Sequence, residues 1–146
     1  MKERHKIIPA SFLVLRKEGK ILLSLRQNTG WSDGLYSLPS GHLEPGEMAK
    51  SAMVREAKEE IGVEVKPEDL HLVLTMMVIT DSERVNFFFI ADAWEGEIAN
   101  MELEKCGGLD WYALDNLPDN VVPYVRKALE YIKDGKPYLE YENSGV

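Results

Sequence analysis

The sequence predicts an α/β chain with α+β character, an α/β/α sandwich in which a mixed β-sheet lies between helical layers. Three observations predict it: paired β-rich runs on both sides of one uninterrupted helical segment, a second amphipathic helix near the C-terminus, and the order strands, helix, strands, helix. At 146 residues and 45% hydrophobic composition, the chain supports one core and is short for two. The expectation is a single domain over residues 1–146, with a loosely ordered tail from about residue 137.

Ile7 to Leu15 and Ile21 to Leu25 are β-rich and flank Glu18-Gly19, where glycine suits a turn, so they read as a hairpin. Gln27 to Pro45 is rich in Asn, Thr, Gly, Ser, Asp and Pro and reads as loop, with a short extended piece at Leu35 to Leu38. Glu47 to Ile61 lacks Gly and Pro and carries Ala, Met, Glu and Lys, and Gly62 supplies a C-terminal stop. Leu70 to Thr80 and Arg84 to Trp94 form a second β pair, and Phe87-Phe88-Phe89 predicts a strand covered on both faces. Leu109 to Ala113 adds a short strand. Val121 to Lys133 reads as a helix whose Val122, Val125, Leu129 and Ile132 share one face, ended by Gly135.

Charge narrows the partners. A net charge of −8 without a run of Lys and Arg opposes binding to long nucleic acids, which calls for a basic stripe. A phosphorylated ligand would need cations to mask its charge. One cysteine, Cys106, leaves no intramolecular disulfide. The opening basic residues and apolar run are interrupted by Pro9 and closed by Arg16-Lys17 without a cleavage site, and no stretch approaches the roughly 20 apolar residues of a membrane span. The expectation is a cytoplasmic protein without membrane association. No heptad marks an interface, which leaves monomer and homodimer open.

Chemistry concentrates on the first helix. At about 100° per residue, Met53, Val54, Ala57 and Ile61 form an apolar stripe, while Glu56, Glu59 and Glu60 share an adjacent arc, with Glu60 turned partly toward the core. Like charges one turn apart destabilise a helix, and a buried unpaired carboxylate is costly unless it neutralises or binds a cation. Oxygen donors without His or Cys nearby favour Mg2+, with Mn2+ as a substitute. Arg55 is placed to pair with Glu59 or Glu47. On the helix alone, a solvated Glu/Lys face is the alternative. His5, His42 and His71 show no ligand spacing.

Spacing separates the two readings. Gly41, five residues, Glu47, seven residues, then Arg55-Glu56-Ala57-Lys58-Glu59-Glu60-Ile61-Gly62-Val63 resembles the signature of the Nudix hydrolase family at every fixed position. From this chain's own residue frequencies, a chance match of this kind has odds on the order of one in a million. Ser40 departs from a glycine common before the first motif glycine.

The resemblance implies hydrolysis of a diphosphate linkage in a nucleoside diphosphate-X substrate, with Glu56, Glu59, Glu60 and the Ser40 carbonyl as metal ligands. It implies Glu56 as a candidate catalytic base, Arg55 as the residue orienting the cluster, and Glu102, with Glu104 as fallback, as a second acid completing the site. MutT-like relatives further suggest Arg26 as a phosphate contact and Asn120 as a base-reading amide, although for Asn120 an N-terminal helix cap is the favoured reading. Trp31, Tyr36, Trp94 and Trp111 are stacking candidates or core aromatics. A nucleoside triphosphate is the expected substrate; an ADP-sugar or dinucleoside polyphosphate is the alternative, and a nucleotide-binding module without turnover is the non-enzymatic one.

Overall fold

A computed structural model describes residues 2–143. Its architecture is the expected one, a mixed sheet with a helix on each face. Strands β1 (Ile8–Lys17) and β2 (Lys20–Arg26) meet in a hairpin whose turn holds Glu18 at φ 53° and Gly19 at φ 76°, the left-handed pair that matches the twist of antiparallel strands. Only Arg16↔Ile21 and Lys17↔Lys20 pair across it. Beyond the turn the strands diverge: β1 runs parallel to β6 (Glu83–Ala91), while β2 pairs with β3 (Tyr36–Ser37) and β7 (Cys106–Ala113). β6 is antiparallel to β5 (His71–Ile79).

Alternation along the central strands builds two cores. Leu13 and Leu15 of β1 and Phe89 and Ala91 of β6 meet Met53, Ala57 and Ile61 of α1 (Ala49–Ile61). Phe12 and Val14, with Phe88 and Ile90, face Val125, Ala128 and Leu129 of α2 (Pro123–Lys133). The Phe87-Phe88-Phe89 run is therefore divided between faces, as its composition predicts. Leu129 is fully buried, and Leu129→Ala is expected to cost about 2–5 kcal/mol, read as a fall in the urea midpoint at unchanged slope.

Several boundaries differ from the sequence expectation: β7 begins three residues early, at Cys106, β6 ends at Ala91, and α2 begins at Pro123. The segment after Pro137 is a strand, β8 (Tyr138–Glu142), parallel to β5 with Leu139 buried; backbone pairing and one anchoring side chain order a stretch whose composition carries little pattern. Ser40–His42 forms β4 against Ala10, Ser11 and Phe12 of β1, where glycine and proline nearby suggest loop. Glu47 precedes α1, which begins after Met48 and ends at Gly62 in the left-handed conformation. Among the described residues no helix is long and apolar enough to cross a membrane.

Candidate active site

One cleft of about 820 Å³ opens at the end of the sheet beside α1 and β4. The buried stripe of α1 fixes the helix rotation, which turns Glu56 and Glu60 toward β4 and leaves Glu59 more exposed. The Ser40 amide donates to Glu60 Oε2 at 2.9 Å. A Cβ on Gly41 would stand 2.1 Å from Glu56 Cδ, so the first glycine of the motif is the space that the Glu56 carboxylate occupies.

Arg55 organises the outer side. Its Nε and Nη2 donate to the two oxygens of Glu47 at 2.9 and 3.0 Å, and its Nη1 donates to Glu56 Oε1 at 2.7 Å and to Glu59 Oε2 at 3.3 Å. Nη2 also reaches the His42 carbonyl, and the Glu44 amide donates to Glu47 Oε1. This fork is a geometry lysine cannot reproduce. Arg55 lowers the Glu47 pKa to about 2. Stability from that pair is present above the unfolded carboxylate range and is lost as pH falls toward 2.

Glu60 has no such partner. Burial raises its pKa to about 9, the Glu56 charge adds to the rise, and the Ser40 amide only partly opposes it. Burial also raises Glu56, against the pull of Arg55. The Glu102 charge acts on both, and Glu102 lines the same cleft. Its loop is held in place as Gln27 and Asn28 donate to the carbonyls of Leu103 and Glu104.

Among the described residues, no three acidic, His or Cys side chains already converge as a closed cation cage; Arg55 draws Glu56 and Glu59 to itself. The donor set nevertheless fits a hard divalent ion: all oxygen, negatively charged, with one buried carboxylate lacking a cation. Glu56, Glu60 and the Ser40 backbone are the groups that could hold it, with Glu59 and Glu102 at the margin.

The cleft thus gathers Ser40, Arg55, Glu56, Glu60, Glu102 and Arg26. Arg26 donates to the Trp31 carbonyl and to Thr29 Oγ1, and its guanidinium lies 4.9 Å from the Trp31 ring centre. Asn120 is placed otherwise: exposed, it donates to the Gly34 carbonyl at 3.0 Å, and α2 is capped by Val122, so it neither lines the cleft nor caps the helix. Tyr36 is buried and donates to Asp110, while Trp94 and Trp111 stack on each other, leaving Trp31 as the sequence-nominated aromatic in the cleft. Lys105, Arg84 and Tyr124 also line it. Arg84 was legible, with Glu83 and Asn86, as a polar residue in a strand that turns apolar from Phe87.

Comparison with known proteins identifies the family. The chain is 29% identical over 133 residues to the Nudix hydrolase YvcI of Bacillus subtilis, covering 86% of this chain and 79% of the relative. It is 30% identical over 136 residues to an ADP-ribose pyrophosphatase of Methanocaldococcus jannaschii, covering 89% and 72%. A NAD-capped RNA hydrolase, NudC, of Klebsiella pneumoniae is 32% identical over 119 residues, but the match covers 80% of this chain and only 44% of that relative. The crystal structure of a MutT Nudix hydrolase from Burkholderia pseudomallei superposes with a TM-score of 0.78 at 27% identity, covering 86% of this chain and 98% of that one. With the NUDIX domain model matching residues 6–132, the chain belongs to the Nudix family and is a Nudix hydrolase.

Proposed function

We propose that this hydrolase cuts the diphosphate linkage of a nucleoside triphosphate in a Mg2+-dependent reaction, with Mn2+ as a substitute. The observation that carries the reading is one cleft holding both the acidic face of α1, with its buried unpaired Glu60, and the cationic side chains of Arg26 and Lys105. The likeness to a MutT Nudix hydrolase, 27% identical and matched over 98% of its length, supports this reading.

Glu56, Glu59, Glu60 and the Ser40 carbonyl would hold the cation, which when bound supplies charge neutralisation of the diphosphate oxygens. Arg26 and Lys105, which line the same cleft, would orient the phosphate chain. Arg55 holds Glu47, Glu56 and Glu59 at fixed spacing, so the carboxylates enter the reaction already positioned. Glu56, raised in pKa by burial, accepts the proton of the attacking water, a role for which Glu102 is the second candidate.

A nucleoside diphosphate sugar is the second reading, favoured by the ADP-ribose pyrophosphatase relative. Chromatographic identification of the products from nucleoside triphosphates (monophosphate and pyrophosphate), dinucleoside polyphosphates (two nucleotides) and nucleotide sugars (monophosphate and sugar phosphate) tests both. Fastest turnover of a triphosphate, abolished by chelator, supports the first reading; fastest turnover of a sugar substrate replaces it with the second; nucleotide binding without turnover contradicts both.

Gly41→Ala is expected to push the Glu56 carboxylate aside while sparing the fold, because the clash is with the end of a flexible side chain. A displacement of about 1 Å at a reacting group costs roughly 10²-fold in rate. Circular dichroism and kcat measured together check it.

A further inference from the structure

The face of the sheet that carries α1 is covered at one end only. α1 packs on β1 and β4, while α2 packs on β5 and β8 from the opposite face. Register along the remaining strands sets Phe87 beside Thr75 and Tyr138, Val85 beside Met77 and Glu140, and Glu83 beside Ile79 and Glu142. Alternation turns these side chains to the α1 side of the sheet, the side of Phe89. Phe87 still touches the α1 core, but Val85, Met77 and Ile79 belong to neither core. Ile79 is 38% exposed and Tyr138 52%. Among the described residues, no helix covers this end of the face.

The two edges of the same region carry opposite charge. Lys2, Arg4 and Lys6, offset by Glu3 alone, are exposed and lead into β1, and His5 among them pairs with Glu83. Glu140 and Glu142 stand on β8, which is separated from β1 by β6 and β5. A uniformly acidic or uniformly basic partner would meet repulsion at one edge. A second copy, with its edges exchanged, meets attraction at both.

We infer that a second copy of this chain packs on this face, the two sheets meeting about a two-fold axis that runs along the strands. Such an axis sets β6 over the partner's β5 and β1 over the partner's β8, so Val85 of each copy faces Met77 of the other. The basic lead-in of each copy then lies by Glu140 and Glu142 of the other. A two-fold axis across the strands would set each edge against its like, so charge selects the first arrangement. It is the aligned packing that twisted sheets adopt, and the contact is isologous and closes at two copies.

Area sets its strength. Three strands about 4.8 Å apart, over five residues rising about 3.3 Å each, span roughly 200 Å². Each side of a standard interface buries about 800 Å². The apolar face alone is therefore too small, and the charged edges must supply much of the rest, which makes the dimer weak and sensitive to salt.

Sedimentation velocity of the full chain over a concentration series tests this, and it does not depend on which substrate is cut. A reversible monomer–dimer equilibrium is expected at about 50 mM salt, with a Kd between roughly 10 µM and 1 mM, weakened at least about threefold at about 500 mM. Val85→Asp should weaken association about tenfold or more with kcat unchanged, because Val85, Met77 and Ile79 do not line the cleft. Should Val85→Asp melt early, charge exchange carries the test at exposed positions. Arg4→Glu with Lys6→Glu should weaken the dimer, as should Glu140→Lys with Glu142→Lys, and the four changes together should restore it. The two sets lie on opposite edges of one protomer, so restoration reports a contact between chains. A chain that stays monomeric throughout overturns the inference, whatever other protein the face takes. A dimer that salt strengthens, or whose association the two charge sets leave unchanged or their combination fails to restore, also overturns it.

Discussion

Glu60→Gln is expected to lower kcat/KM by roughly 10²–10³-fold, the loss that follows when one fixed charge is withdrawn from a developing transition state, while making the metal-free protein more stable. The two effects share a cause. In the metal-free fold the Glu60 carboxyl titrates near 9, raised by burial and then by Glu56, so between the ordinary carboxylate range and pH 9 the folded state holds a proton that the unfolded state has released. Stability therefore falls as pH rises through that window. Glutamine keeps the size and has no charge to bury. Melting curves in chelator should show the variant above the wild type, with the gap widening from pH 6 to pH 8, each kcal/mol moving the midpoint by about 2–4 °C. Added Mg2+ should raise the wild type and leave the variant nearly unmoved. A variant that melts below the wild type at pH 8 in chelator would count against the buried unpaired carboxylate.

Arg55→Lys should be nearly as damaging to turnover, on the order of 10²-fold, because geometry and not charge alone is lost. The guanidinium spans Glu47, Glu56 and Glu59 at once, and an ammonium reaches one or two of them. Freed from that fork, Glu47 should titrate in the ordinary carboxylate range instead of near 2, a shift that carbon NMR of the glutamate carboxyls reads directly. A lysine variant with unchanged Glu47 titration and near-normal kcat would contradict the organising role of Arg55.

These residues were legible because the motif lies on a helix, where period and spacing translate directly into a shared face. Glu60 was placed toward the core from the helical projection, and the packing of Met53, Ala57 and Ile61 does turn it inward. The two-faced β6 was equally readable from three consecutive phenylalanines. What the sequence did not disclose depends on partners distant in the chain. β8 is a strand because β5 offers it an edge, and β4 because β1 does; neither stretch has an alternation of its own. Asn120 was nominated by its position before a helix, a cue shared by caps, base contacts and loop ties, and the Gly34 carbonyl that claims it lies 86 residues away. Asn86 stood in plain view, and only its burial without a partner distinguishes it from surface polar residues.

The central claim is that the carboxylates of α1 make diphosphate hydrolysis dependent on a divalent cation. Its most direct test strips the wild-type protein with chelator, returns Mg2+ stepwise, and follows hydrolysis of the best nucleotide by phosphorus NMR. The account predicts no turnover in chelator, saturable recovery with Mg2+, and a recovery curve displaced to much higher Mg2+ in Glu60→Gln. Turnover that survives the chelator, or a Glu60→Gln curve that overlays the wild type, would contradict it.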